Sequence, residues 1–262
     1  MNFYSQLEKI AKIQPERNAI FWEGGNLNYL DFFHMANSIG TALSKKFNLK
    51  KGDNVALVME NDYLFLPILF GIWKAGLTAV PINSKLHKKE LDWIFENSDT
   101  KLIFCSKEKI SDIHSNVPVI VNYSKEFIQI SKFEHLSNLK TEVIDPAWIF
   151  YTSGTTGKPK GAVLTHRNLL SMSLSYFADV DSVDETDIRL HAAPMTHGSG
   201  IYALPFILKG AQNYICQSNF EPEEIFELLS KQKNISFFAA PTMVKRLSSH
   251  PMASGNLKGL KT

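Results

Sequence analysis

The chain has 262 residues, of which 44% are hydrophobic and 21% are charged, and its formal net charge is +2. This composition is typical of a globular protein, and the small net charge without a long basic run argues against a nucleic-acid partner. The most apolar stretch, residues 63–73, is too short to span a bilayer, so we predict no integral membrane segment. Cys105 and Cys216 are isolated in apolar runs, which favours buried thiols over a disulfide or a metal site. Because the amino terminus also lacks the layout of a signal peptide, we expect a cytoplasmic protein.

The first half of the chain alternates predicted helices and strands. Apolar residues at helical spacing predict an opening helix that Pro15 ends. Gly24 and Gly25 lie between two short β-favouring runs and predict a hairpin, and Asp31 is placed to cap the helix that follows. The remaining predicted elements of this half are strand 54–59, helix 63–75, strand 78–80 closed by Pro81, helix 88–97, and strands 101–105 and 117–121.

The second half begins after a polar stretch, residues 122–145, with an apolar strand at 147–151. The elements predicted beyond it are strand 162–164, helix 167–177, strand 189–193, helix 200–208, strand 212–216, helix 222–231, strand 235–239 and a last helix from Pro241. Repeated strand–helix–strand order with apolar strands predicts an α/β fold of mostly parallel sheets flanked by helices. We place one α/β subdomain portion in residues 1–146 and a second, with the loop described next, in residues 147–262.

The strand at 147–151 leads into a loop rich in hydroxyls and glycine. From Thr152 to Lys160 the sequence reads Thr-Ser-Gly-Thr-Thr-Gly-Lys-Pro-Lys. Glycines let successive backbone N–H groups turn toward one point, hydroxyls add donors, and a lysine adds positive charge, so the pattern predicts a polyphosphate-binding loop. It is not a Walker A loop, because Pro159 stands where serine or threonine is needed, and no G-x-G-x-x-G occurs. A flexible surface loop is the alternative interpretation.

This loop resembles the phosphate-loop signature of the adenylate-forming superfamily, which includes acyl-CoA synthetases, luciferases and the adenylation domains of peptide synthetases. Three other passages are similar to that family: residues 71–83 resemble its "G...AGA..VP.N" passage, residues 194–200 its "P..H..G" segment, and residues 238–243 the corner before its adenine-binding segment. The resemblance implies the N-terminal domain of the adenylate-forming fold, incomplete. The Tyr-Gly-x-Thr-Glu segment, the ribose-binding aspartate and the C-terminal domain with its catalytic lysine have no counterpart, so we expect a fragment that is inactive by itself.

The resemblance also assigns roles to residues. It implies that the loop contacts the β- and γ-phosphates of ATP through Thr152, Ser153, Gly154, Thr155, Thr156, Gly157 and Lys160. Lys160 is favoured over Lys158, because Pro159 restricts the geometry of the residue before it. His197, in the "P..H..G" segment, is implied to orient the acyl carboxylate and the α-phosphate. Lys160 and His197 are therefore the candidate catalytic residues. Purely structural roles, including a histidine that is simply satisfied at a helix start, remain the alternatives.

Two other histidines have structural interpretations. His191 is predicted to face the core or to hydrogen-bond the backbone. His166 follows Thr165, which with Asn168 suits the start of a helix. The other histidines show no spacing typical of a zinc site.

The function implied by the resemblance is an ATP-dependent acid–thiol ligase. Such an enzyme adenylates a carboxylic acid with ATP and Mg²⁺ and transfers the acyl group to coenzyme A. Two alternatives remain open: an adenylation module that loads a carrier protein, and a nucleotide-binding scaffold without chemistry.

Overall fold

The computed structural model of the chain describes residues 2–134, 141–152, 158–216, 220–255 and 257–262. The strands in these ranges are β1 (Asn18–Trp22), β2 (Gly25–Asn28), β3 (Asn54–Met59), β4 (Thr78–Asn83), β5 (Thr100–Cys105), β6 (Val119–Val121), β7 (Pro146–Thr152), β8 (Lys160–Thr165), β9 (Ile188–His191), β10 (Gln212–Ile215) and β11 (Ile235–Phe237). The α-helices are α1 (Phe3–Ile13), α2 (Tyr29–Lys45), α3 (Phe65–Lys74), α4 (Lys88–Asn97), α5 (Lys125–Ile130), α6 (His166–Asp179), α7 (Gly198–Ile201), α8 (Ala203–Leu208), α9 (Pro222–Lys231) and α10 (Pro241–Ser248). None of these helices is of a length and apolarity that would let it cross a bilayer.

The strands form two sheets. One has six strands in the order β6-β5-β3-β4-β7-β8, and the other has five in the order β11-β9-β10-β1-β2. Each sheet is parallel except for one antiparallel pair at its edge, β7 with β8 and β1 with β2. The prediction of an α/β fold with mostly parallel sheets flanked by helices is therefore confirmed.

Neither sheet is confined to one side of residue 146, where we placed the subdomain boundary. The amino-terminal hairpin β1–β2 joins the sheet of the second half, because Ile20 and Phe21 pair with Asn213 and Tyr214 of β10. Conversely, β7 and β8 complete the sheet that β3 to β6 begin. The boundary between the two subdomain portions stays a prediction, and it does not coincide with the division between the sheets.

The central helix α3 connects the core to the strand that precedes the candidate phosphate loop. All ten of its residues are buried, in agreement with the uniformly apolar sequence from Phe65 to Trp73. Trp73 is fully buried, and its indole N–H donates to the carbonyl oxygen of Ala147 on β7 at 2.7 Å. Burying such a side chain contributes about 1.5–3 kcal/mol or more. The position of β7 is therefore fixed from the core side.

Several local predictions were wrong in detail. The cap of α2 is Asn28, not Asp31: the helix begins directly after β2, and the Asn28 Oδ1 accepts the N–H of Asp31 at 2.7 Å. Strand β4 continues through Pro81 to Asn83: Pro81 lies opposite Leu57 of β3, and the pairing with β7 is registered at Ala79. The polar stretch 122–145 contains the short helix α5, and the single helix predicted at 200–208 is two short ones.

Candidate active site

A cavity of about 220 Å³ lies at the carboxyl ends of the parallel strands β4 and β7. Its walls are formed by Pro81, Ile82, Asn83, Leu86, Glu90, Ile94, Tyr151, Thr152, Pro159 and His197. Open α/β sheets bind their ligands at this edge, outside the carboxyl ends of the strands. Thr152 and His197, which lie 45 residues apart in the sequence numbering, share this one cavity. We call it the loop cavity.

The two ends of the predicted phosphate loop lie opposite each other. Thr152 ends β7 and pairs with Lys160, the first residue of β8, and both are exposed. Directly opposed residues of antiparallel strands have Cα atoms about 4.5–5.5 Å apart, so the loop leaves and returns at one place. Ser153, Gly154, Thr155, Thr156 and Gly157 lie outside the described residues, and their phosphate contacts stay a prediction.

His197 lies half-buried in the cavity wall, immediately before α7. Its ring centroid is 5.5 Å from that of Phe150 on β7. His197 is the N-cap residue of α7, but its side chain makes no capping bond, so the ring is not satisfied by the helix start as the alternative interpretation had it. The ring Nδ1 is buried and has no hydrogen-bond partner among the residues that the structure describes. The residue itself lines the cavity, so His197 stands where a ligand in the cavity would lie.

The segment that carries His197 is held by Asn61, which follows β3. The Asn61 amide nitrogen donates to the carbonyl oxygens of His191 and Ala193, both at 3.1 Å, and its Oδ1 accepts the N–H of Met195 at 2.9 Å. The turn behind the segment is so tight that a Cβ at Gly200 would lie 1.9 Å from the Met195 carbonyl oxygen. Only glycine fits there.

A buried histidine supports this segment from behind. The ring nitrogens of His191 lie 2.9 Å from the Ser199 Oγ and 3.0 Å from the Asn213 Oδ1. Because an amide oxygen only accepts, the Nε2–H donates to Asn213 and the Nδ1 accepts from the Ser199 hydroxyl. Burial lowers the pKa of His191 to about 3, so the ring stays neutral. The prediction that His191 faces the core is confirmed, although its ring contacts side chains rather than the backbone.

His166 is likewise structural. Thr165 and Asn168 form the capping box of α6 that the sequence predicted. The His166 ring is buried, with its centroid 5.6 Å from that of Trp73, and burial lowers its pKa to about 4.

Acid should destabilise the chain through His191. Its pKa is depressed to about 3 in the folded state. In the unfolded chain the same ring binds a proton below about pH 6.5, whereas in the folded protein it stays neutral down to about pH 3. The free energy of unfolding therefore falls as the pH drops through this window, by roughly 1.4 kcal/mol per pH unit for this group. Urea unfolding of His191→Gln at pH 7 and pH 5 should show a smaller loss than wild type. The exposed His114→Gln is the matched control, and equal pH dependence in wild type and His191→Gln would contradict the assignment.

The family model for AMP-binding enzymes matches residues 7–262 of the chain. The chain belongs to the AMP-binding enzyme family. This agrees with the superfamily that the loop sequence resembles.

Several known proteins are similar to this AMP-binding chain in sequence or in structure. Feruloyl-CoA synthase from an Amycolatopsis species is 27% identical over 255 residues, which are 96% of this chain and 51% of that protein. Tyrocidine synthase 1 from Brevibacillus parabrevis is 28% identical over 222 residues, 82% of this chain and 20% of its own length. The inhibitor-bound N-terminal domain of FACL13 from Mycobacterium tuberculosis has the same fold, with a TM-score of 0.86 at 23% identity over 98% of this chain and 67% of that one. The chain thus spans about half the length of a CoA synthase that it matches.

A second, larger cavity of about 320 Å³ adjoins the loop cavity in the AMP-binding chain. Asn83 borders both cavities, and the larger one reaches from Asn61 and Lys85 across to Thr196 and Arg246. Its lining therefore comes from the carboxyl ends of both sheets. Its lining carries two cations, Lys85 and Arg246, and one carboxylate, Glu60.

Sequence reasoning missed the contribution of α4. Glu90 and Ile94 line the loop cavity, although residues 88–97 were predicted only as a helix. Glu90 is the one carboxylate in the described wall, and it is engaged by the His87 N–H in the capping box of α4 at 3.0 Å. Nothing in the sequence of residues 88–97 indicates a site, because the helix comes close to the loop only when the sheet packs.

Proposed function

We propose that this chain provides the triphosphate- and carboxylate-binding part of an ATP-dependent ligase that activates a carboxylic acid as its acyl-adenylate. The observation that carries the proposal is the loop cavity, in which Thr152, at one end of the candidate phosphate loop, and His197 face the same space. Lys160 follows directly on the wall residue Pro159 and supplies a cation beside the cavity. Membership of the AMP-binding enzyme family supports a nucleotide in this place.

In the proposed reaction a carboxylate oxygen attacks the α-phosphorus of ATP, and the bond to the bridging oxygen of pyrophosphate breaks. The negative charge moves onto the leaving pyrophosphate, where the Lys160 ammonium and the Thr152 hydroxyl stabilise it. The His197 imidazole, which lines the loop cavity, orients the attacking carboxylate. Mg²⁺, when bound, would be held mainly by the substrate phosphates and water, and it would shield the triphosphate charge.

The two thiols of the chain are not suited to act as nucleophiles. Cys105 and Cys216 are both buried. Burial raises the pKa of the Cys105 thiol to about 11 and raises that of Cys216 as well. Since the thiolate is the reactive form, direct attack of the acid on ATP is the better supported chemistry.

The acyl acceptor in the proposal is coenzyme A. The similarity to a feruloyl-CoA synthase supports it. The larger cavity has two cations, Lys85 and Arg246, against the one carboxylate Glu60, a balance that suits an acceptor that carries phosphate. The alternative is a carrier protein, which the similarity to tyrocidine synthase 1 favours.

The test is pyrophosphate release by the full-length protein across classes of carboxylic acid, with ATP and Mg²⁺. We expect release that depends on one class of acid, followed by formation of its CoA thioester, which mass spectrometry detects. A thioester formed only on a carrier protein would select the alternative acceptor. If no acid supports release although ATP binds, the chain is the nucleotide-binding scaffold instead.

A further inference from the structure

Trp93 on α4 contacts the returning end of the candidate phosphate loop. Its indole N–H donates to the carbonyl oxygen of Pro159 at 3.3 Å. The Lys158 ammonium lies 4.0 Å from the centroid of the same ring, in a cation–π contact. One side chain therefore holds two consecutive residues directly before Lys160.

The same helix also holds the outgoing end of the loop. The Tyr151 hydroxyl on β7 donates to the Asn97 Oδ1 at 2.6 Å, four residues along α4 from Trp93. Between these two contacts, Ile94 and Phe95 are buried against the sheet. Helix α4 is thus a firm support that is tied to both strands flanking the loop.

We infer that Trp93 is a positioning residue for the triphosphate site, an inference that rests on the proposed function. Proline has no N–H, so its carbonyl oxygen is its only backbone hydrogen-bonding group, and the bond from Trp93 fixes this group. That bond sets where β8 begins and therefore where Lys160 stands beside the loop cavity. The ring meanwhile keeps the Lys158 ammonium on its face, which leaves Lys160 as the cation for the phosphates.

Preorganisation is the physical reason for such a contact. A strand end that is already fixed loses little backbone freedom when an anion binds to its lysine, whereas a mobile strand end must be ordered on binding. Losing one hydrogen bond that fixes the strand end should weaken anion binding by about 3- to 10-fold.

The first measurement needs no ligand. Amide hydrogen exchange is followed in the 262-residue chain for wild type, Trp93→Phe, which keeps an aromatic face, and Trp93→Leu, which does not. We expect faster exchange at Lys160 and Gly161 in both variants, and unchanged exchange at the far end of β8. Trp22→Phe, which alters a tryptophan stacked on Tyr63, is the matched control. Unchanged exchange at Lys160 in both Trp93 variants overturns the inference.

The second measurement is a titration with inorganic triphosphate, with 5-fluorotryptophan in the chain as a spectroscopic probe. We expect the Trp93 resonance, assigned from Trp93→Phe, to shift on binding, and affinity to fall in the order wild type, Trp93→Phe, Trp93→Leu. Lys158→Met should change affinity by less than about 2-fold. Wild-type binding with equal affinity in all Trp93 variants overturns the inference and leaves the proposed function standing. If wild type does not bind triphosphate although exchange at Lys160 responds to Trp93, the proposed function fails and the positioning contact stands.

Discussion

Lys160→Ala in the full-length protein should slow acyl-adenylate formation by about 10²–10³-fold, the scale of losing one preorganised group that stabilises developing negative charge. The lysine is exposed, stands opposite Thr152 across the ends of the loop, and follows the cavity residue Pro159. Its ammonium is the group that the proposal places on the departing pyrophosphate. Single-turnover measurement of acyl-adenylate at saturating ATP isolates this step from product release.

Lys158→Ala is the matched control, since it removes the same charge two residues away. Its ammonium lies on the Trp93 ring rather than beside the cavity, so the rate should change by less than about 10-fold. Neither substitution should change the urea midpoint much, because both side chains are exposed. A rate for Lys160→Ala within the range of the control would remove Lys160 from the site.

Much of the fold could be predicted because the chain signals it locally. The uniformly apolar helix α3, the strand β3 and the proline-initiated helix α9 all lie where periodicity and helix-start residues placed them. The hairpin at Gly24 and Gly25 was likewise predicted from its turn residues. In each case burial, turn geometry and local propensity favour the same structure.

Pairings distant in sequence could not be predicted in the same way. Nothing near β1 indicates that it pairs with β10, almost two hundred residues later in the chain. The candidate site shows the same division: the loop motif and the "P..H..G" segment are readable, whereas Asn61 and Trp93 have no local signal. Both side chains donate hydrogen bonds to backbone carbonyl oxygens of distant segments. Every residue has such an oxygen, so the sequence does not indicate which one is bound.

His197→Ala should lower the rate of acyl-adenylate formation by about 10²-fold, the scale expected when a reacting group loses its orientation, while ATP affinity changes little. The imidazole lines the loop cavity, and its buried Nδ1 has no hydrogen-bond partner in the described part of the chain. A group of this kind can hold the attacking carboxylate without contacting the adenosine. Measuring kcat for the acid together with the dissociation constant for ATP separates the two effects.

His197→Gln is the informative companion, because its amide can donate or accept where the imidazole does but carries no titratable proton. If the ring only orients the carboxylate, this variant should recover part of the rate that the alanine variant loses. If the ring transfers a proton, glutamine should be as slow as alanine, and the pH profile of the wild-type rate should lose one limb in both variants. If His197→Ala loses rate and ATP affinity equally and has a lower urea midpoint, the role of His197 is structural instead. It would then support the segment around α7, as His191 and Asn61 do through Ser199 and Met195.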